Sequence, residues 1–271
     1  MVRNVWEALG LSGKRVLLLH HDDLGLTHAQ TEAYRALGFP TGSVMVPGGW
    51  GVGLRGADLG VHLTLTSELP APRLRPLTPG KSLRDPTGHF WPTLEAAWTH
   101  LDPGEVEEEL EAQVRLARAW GLDPTHLDAH MGAVLRPELA EVYLRLAERH
   151  GLPPLLPENL EELGPPPLFL PELKRLLERA PFPKVWVLDG YGVPPAERKA
   201  WLVERLAALG PGVYQLIHHA ALPTPENAAL PDGEGRSADL ALLRDPEVKR
   251  VLEEFVPLTW RTVGEAWRRG R

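Results

Sequence analysis

The stretch LLLHHDDLGLTHAQ, residues 17–30, ends an apolar run abruptly in two histidines, two aspartates and a glycine. An uninterrupted apolar run of this length suits a strand covered on both faces, so KRVLLLHH (14–21) reads as a first strand. Thr27 then offers an N-cap, with Gln30 three residues on, for a helix reaching about Leu37. Strand, polar turn and helix in that order make a β/α unit with its chemistry at the strand's carboxyl end. In extended backbone, adjacent side chains point to opposite faces, so Asp22 and Asp23 are expected to face opposite ways unless the strand bends.

The same alternation continues along the chain. GSVMVP (42–47) and LGVHLTL (59–65) read as strands. PGEVEEELEAQVRLARAWG (103–121) is an amphipathic helix with acids early, arginines late and Gly at its end, which suits the macrodipole. THLDAH (125–130) reads as a short strand and PELAEVYLRLAERHG (137–151) as a helix with Pro in its first turn. Further helices are expected at 171–180, 194–209, 245–254 and 262–269, and strands at 184–189, 213–219 and 256–260. Residues 66–103 break the rhythm. They form a Pro/Gly-rich insertion too long for an ordinary connection, read either as a functional loop or as a surface insertion of no consequence. Some seven β/α alternations in 271 residues predict an α/β fold, an irregular (β/α) TIM-like barrel with mostly parallel strands, in a single domain spanning 1–271.

Composition narrows the chemistry. With no cysteine, disulfides and thiolate catalysis are excluded, and any metal ligand must be His, Asp, Glu or water. A net charge of −7 with both signs interspersed argues against nucleic acid as a partner. No apolar run is long enough to span a membrane, and MVRNVWEALG lacks the core of a signal peptide, so a cytoplasmic protein is expected. Abundant proline and arginine suit a thermophile or a GC-rich genome.

Function in such a fold sits at the carboxyl ends of strands. Asp22 and Asp23, His62, the set His126, Asp128 and His130, and the pair His218 and His219 all fall there. Singly, each has a structural alternative: a core histidine, a backbone hydrogen bond, or a helix cap. Together they form a coherent site for a divalent ion. One aspartate and two histidines from three strands supply the ligands, the other aspartate serves as general base, and a histidine from a fourth strand end as proton donor. The sequence shows no second carboxylate–histidine cluster for a two-metal site. Oxygen plus imidazole donors suit Zn, Mn, Co or Ni better than Mg, although a weakly held magnesium fits too. Trp50, Phe90 and Trp91 lie on expected loops, where they either stack on a sugar or pack beneath the loop, the latter slightly favoured.

At this point the residues resemble the YdjC-like family of carbohydrate deacetylases, of the chitooligosaccharide (diacetylchitobiose) deacetylase type. The matching segments are DDLG (22–25), GVHLTL (60–65), THLDAH (125–130), LIHHA (216–220) and GRSADLALLRDPEV (235–248), in order over about residues 15–260. The resemblance implies an irregular barrel and metal-dependent removal of acetyl from N-acetylglucosamine oligosaccharides such as chitobiose. It implies Asp22 as base, Asp23, His62 and His130 as ligands of one divalent ion, and His218 as proton donor. His126 and Asp128 then become supporting residues, with Arg236 and Trp91 as candidate substrate contacts and His20 and His21 in support. An oligosaccharide is the implied partner; a homodimer is a separate expectation. The chain departs from the family pattern at Met131-Gly132-Ala133, where further histidines are common, at Gln215, and at His219, which replaces a proline. Two alternatives stay open: another metal-dependent barrel hydrolase acting on a phosphoester or cyclic amide, and an inactive sugar- or metal-binding homologue.

Overall fold

A computed structural model of the chain describes residues 5–56 and 58–270, so the outermost residues of the expected 1–271 unit lie outside the described residues. The elements run α1 (Val5–Ala8), β1 (Arg15–Leu24), α2 (His28–Leu37), β2 (Thr41–Val44), β3 (Leu59–Leu63), α3 (Leu94–His100), α4 (Pro103–Ala119), β4 (Leu127–Ala129) and α5 (Pro137–His150). They continue with α6 (Leu170–Arg179), β5 (Trp186–Asp189), α7 (Arg198–Ala207), β6 (Gly212–His218), α8 (Pro225–Ala228), α9 (Gly233–Leu242), α10 (Pro246–Leu252), β7 (Val256–Pro257) and α11 (Trp260–Arg269).

The strands pair in parallel in the order β4-β3-β2-β1-β6-β5, with β7 beside the start of β1. β1 is the spine, pairing with β6 from Arg15↔Gly212 to His21↔His218. Its apolar run is buried, as strands covered on both faces require. The result is a parallel half-barrel rather than a continuous eight-stranded ring. Its edge strands β4 and β5 are joined by the segment 153–158, whose isolated bridges Leu127↔Pro154 and Pro157↔Val185 carry four hydrogen bonds. On that side the helices α5 and α6, not strands, wall the interior.

Helix signals were accurate where a cap set them. The Thr27 hydroxyl accepts from Gln30 N at the start of α2, and Asp102 accepts from Gly104 N and Glu105 N at the start of α4. α5 ends at Gly151 in the left-handed conformation. The expected strand 256–260 is cut short because the Thr259 hydroxyl caps α11, and Trp260 is helical. Helix α9 was not anticipated, since its GEGRSADLAL sequence opens with two glycines.

The insertion at 66–103 is tied down from below. Glu109 of α4, fully buried, accepts from the backbone N–H groups of Leu77 and Thr78, and Glu105 from that of Ser82. Phe90 is wholly buried in the core, and the ring of Trp91 stacks on His100 at 3.9 Å. Both therefore pack within the insertion, the alternative that was slightly favoured.

Candidate metal centre and active-site cavity

The two aspartates of DDLG do not face opposite ways. The pairing of β1 with β2 shifts register between His21 and Leu24, and Asp23 adopts φ 61, a left-handed conformation uncommon for a residue other than glycine. The bulge cancels the alternation, so Asp22 and Asp23 both line one cavity. Gly25, two residues on, has φ 92, and a Cβ there would meet Gly51 N at 2.9 Å. The strained turn is thus held by close backbone contact on one side and by ion pairs on the other.

Asp23 is the hub of those ion pairs. Its Oδ1 lies 3.0 Å from His130 Nδ1 and 3.4 Å from His62 Nε2, and its Oδ2 accepts from Arg236 of α9 at 3.0 Å. Burial alone would raise its carboxyl, but His130 and Arg236 outweigh it and hold the group well below the usual carboxylate range. Asp22 lies 3.9 Å from His62 Nε2 and 3.1 Å from His20 Nε2. Burial also opposes its ionisation; His62 and His20 prevail, and its carboxyl is lowered.

Each histidine beside Asp23 carries a carboxylate on its other ring nitrogen. His62 Nδ1 is 2.7 Å from Asp128 Oδ1, and His130 Nε2 is 2.8 Å from Glu68 Oε2. This leaves His62 Nε2 and His130 Nδ1 turned to Asp23, the arrangement in which an outer carboxylate fixes the tautomer of a ligating imidazole. Burial disfavours charge on both rings, yet the carboxylates raise His62 well above its ordinary value and His130 to about 9. Four carboxylates against the single Arg236 guanidinium need further positive charge. Protons on His62 and His130, both shifted upward, would supply it, and a divalent cation would supply it equally well.

The donors fit such an ion. Asp23, His62 and His130 each offer an atom within 4.8 Å of the others, giving one oxygen and two imidazole nitrogens. Overlapping donor sets also exist, Asp22/His62/Asp128 and His20/His126/Asp128. The expectation that a second carboxylate–histidine cluster is lacking is therefore corrected. It was invisible in the sequence because Asp128 serves two neighbours at once, with Oδ2 lying 3.2 Å from His20 Nε2. The His20/His126/Asp128 set sits behind the cavity, whose wall includes neither His20 nor His126. The His126 ring stacks on Trp260 at 5.0 Å and presses against Gly60, where a Cβ would lie 2.5 Å from it.

The fourth strand end separates two neighbours. Ile217 and His219 line the cavity, whereas His218 between them does not. Strand alternation explains this, since β6 runs regularly up to His218. His218 is buried near Phe39, with rings 6.3 Å apart, and its Nε2 has no hydrogen-bond partner among the described residues. His219 stands by Tyr191, ring centroids 5.1 Å apart, and its backbone N–H donates to Asp239 Oδ2 at 2.9 Å. Asp239 in turn pairs with Arg198 at 2.7 Å.

Of the residues singled out from sequence, Asp22, Asp23, His62, Asp128, His130 and Arg236 meet at this cavity, while His126, Trp91 and Trp50 stand outside its wall. Two wall residues had not been singled out: Glu68 lies in the Pro-rich insertion without a motif to mark it, and Asp189 ends β5 as the last residue of KVWVLD. His219, grouped with His218 at a strand end but given no role, is the member of that pair on the wall. Position at a strand end could have marked Asp189; nothing local marked Glu68.

Comparison with known proteins agrees with this geometry. The YdjC-like protein family model matches residues 16–254. A protein named carbohydrate deacetylase from Thermus thermophilus is 65% identical over 260 residues, covering 96% of this chain and 98% of that protein. A chitooligosaccharide deacetylase from Serratia marcescens is 29% identical over 52% of this chain and 58% of its own length. Among solved structures, a protein from Enterococcus faecalis V583 described as a candidate for cellobiose-phosphate cleavage superposes with a TM-score of 0.75. It covers 92% of this chain and 98% of its own at 20% identity, a likeness of fold. On the family match over nearly all of the described chain, this protein belongs to the YdjC-like family.

Proposed function

We propose that this chain is a carbohydrate deacetylase, a hydrolase that removes acetyl from the amino group of an N-acetylated sugar with the help of one divalent ion. The observation that carries this reading is the convergence of Asp23, His62 and His130 on one point with Asp22 beside them, in a chain 65% identical to a protein named carbohydrate deacetylase. N-acetylglucosamine oligosaccharides such as chitobiose are the proposed substrates, as the name of the Serratia relative suggests. The bridged half-barrel fits an irregular (β/α) barrel with its site at the strand ends.

Asp23, His62 and His130 would hold the ion. When bound, it supplies Lewis acidity toward the amide carbonyl and the attacking water. Asp22, kept ionised by His62 and His20, takes one proton from that water as its oxygen joins the carbonyl carbon. The C–N bond then breaks, and the departing nitrogen takes a proton from an imidazole, leaving acetate and a free amine. Of the pair His218 and His219, His219 is the one on the cavity wall, so it takes the donor's place in preference to His218. Arg236 keeps Asp23 ionised and aimed.

The test is acetate release from N-acetylglucosamine oligomers. Asp22→Asn should lower kcat by about 10²–10⁴-fold with metal affinity within a fewfold of wild type. Full activity in that variant would remove the proposed base. His219→Ala should cost far more than His218→Ala; the reverse order would return the donor's role to His218.

A further inference from the structure

The loop that follows β5 puts polar surface on the cavity wall that the hydrolytic step does not use. Asp189, the last residue of β5, and Tyr191 both line the cavity, and both keep open surface there, Tyr191 at 41%. Asp189 Oδ1 accepts from the Tyr191 N–H at 2.8 Å, which closes a tight turn. Among the described residues the Asp189 carboxylate has no ion-pair partner. Enclosure accordingly pushes its carboxyl up from the ordinary value, with His219 offsetting only part of the effect.

This turn is held firmly from behind. The buried Arg198 of α7 donates to Tyr191 O at 2.8 Å, to Val193 O at 2.9 Å and to Gly235 O at 2.6 Å. Gly190 lies against Trp201, where a Cβ would come within 2.9 Å of the indole. The Tyr191 hydroxyl donates to Asp232 Oδ2 at 2.9 Å, and the same oxygen accepts from Arg236 Nε at 2.7 Å, so the chain of bonds reaches Asp23 through Arg236. The Tyr191 ring makes a corner with His219, planes 63° apart, rather than a stack. An aromatic ring and a free carboxylate are thus preorganised beside the imidazole assigned as proton donor.

A sugar is gripped by an aromatic face and by groups that pair with its hydroxyls, and an ionised carboxylate accepts a hydroxyl in a short, charge-assisted bond. Tyr191 and Asp189 supply one of each. The charge of the wall then limits what else the sugar can carry. Asp22, Asp23, Glu68, Asp128 and Asp189 line the cavity, and Arg236, the one guanidinium or ammonium on the wall, is engaged by Asp23 and Asp232. Even with a divalent ion bound, these carboxylates outnumber the positive charge of ion and guanidinium together. A phosphate on the sugar would meet like charge with no cation free to pair with it.

We infer that Asp189 and Tyr191 form the subsite seating the sugar whose acetamide is cleaved, and that this site takes uncharged N-acetylated sugars and rejects phosphorylated ones. This rests on the deacetylase reading above and narrows its substrate class.

The experiment compares N-acetylglucosamine, N,N′-diacetylchitobiose and the 6-phosphate of each with the metal-supplemented protein, reading kcat and KM where acetate is released and calorimetric Kd in every case. Each neutral sugar should exceed its phosphate about tenfold or more in kcat/KM or affinity, and the ratio should narrow between 50 and 500 mM NaCl as screening weakens the repulsion. Tyr191→Ala should raise KM about tenfold while kcat falls by less than about threefold, and Tyr191→Phe, which keeps the ring, should recover most of that loss. Asp189→Asn should raise KM for the neutral sugar about fivefold and narrow its advantage over the phosphate about threefold. Phosphorylated sugars used as well as neutral ones, or a KM and Kd indifferent to both Tyr191→Ala and Asp189→Asn, would overturn the inference. Neutral sugars bound, and released by Tyr191→Ala, without acetate formed from any of them would sink the deacetylase reading and leave the subsite standing.

Discussion

Asp128→Asn isolates the support of His62 from its ligand role. Asp128 is buried and uses both oxygens, Oδ1 at 2.7 Å from His62 Nδ1 and Oδ2 at 3.2 Å from His20 Nε2. Asparagine keeps the shape, and its carbonyl can still accept from His62, so the ring stays oriented. What is lost is the charge. A hydrogen bond to an ionised partner contributes about 1.5–3 kcal/mol and a neutral one about 0.5–1.5, so the substitution costs about 1–1.5 kcal/mol on the His62 side. That predicts roughly tenfold weaker metal binding, and Asp128→Ala, which also frees the ring, should approach a hundredfold. The assay is Mn²⁺ titration in competition with a fluorescent chelator, with far-UV circular dichroism to establish that each variant is folded. Folded Asp128→Asn protein with a Kd within twofold of wild type would refute the view that this carboxylate tunes a ligating histidine.

Three further outcomes are expected. Glu68→Ala should weaken metal binding about tenfold, with Glu68→Gln partly restoring it, because Glu68 fixes the Nε2 side of His130; equal affinity for all three proteins in the same titration would remove Glu68 from the site. Gly60→Ala should destabilise the fold by about 2–3 kcal/mol in urea unfolding, since the new Cβ would meet a His126 ring that Trp260 holds in place; a loss under 0.5 kcal/mol would show that the ring gives way. In the metal-free protein, burial holds His126 and His218 at about 4, below their ordinary 6.5. The unfolded chain therefore protonates first, and the stability of these neutral rings is intact above pH 6.5 and lost as pH falls toward 4, on the order of 3 kcal/mol each. His218→Phe should flatten that acid limb in calorimetric scans; an unchanged slope would exclude His218 as a source.

The residues that decide chemistry were legible where strand ends and spacing mark them. DDLG, the histidine of GVHLTL and the histidines of THLDAH sit on separate strands, and a parallel fold brings such ends together. Three matters escaped. The direction of Asp22 and Asp23 depends on one bulge and one positive φ, which simple alternation misses. The choice between His218 and His219 depends on β6 keeping its alternation to the very end, which adjacent identical residues cannot announce. Glu68 reaches His130 only because Ser67 is tied to the insertion on both sides: its N–H donates to Trp91 O, and its hydroxyl accepts from Leu74 N. The open side of the sheet was likewise hidden, since 153–158 is too loosely paired to count as a strand and reads as an ordinary loop.

The central claim is that Asp23, His62 and His130 hold one divalent ion beside Asp22. Anomalous diffraction at the metal edge, from crystals grown with Mn²⁺ or Zn²⁺, tests it most directly. The expected map has a single peak bonded to Asp23 Oδ1, His62 Nε2 and His130 Nδ1, with Asp22 free of it. A peak at His20, His126 and Asp128 instead, or Asp22 taking the place of Asp23, would contradict it.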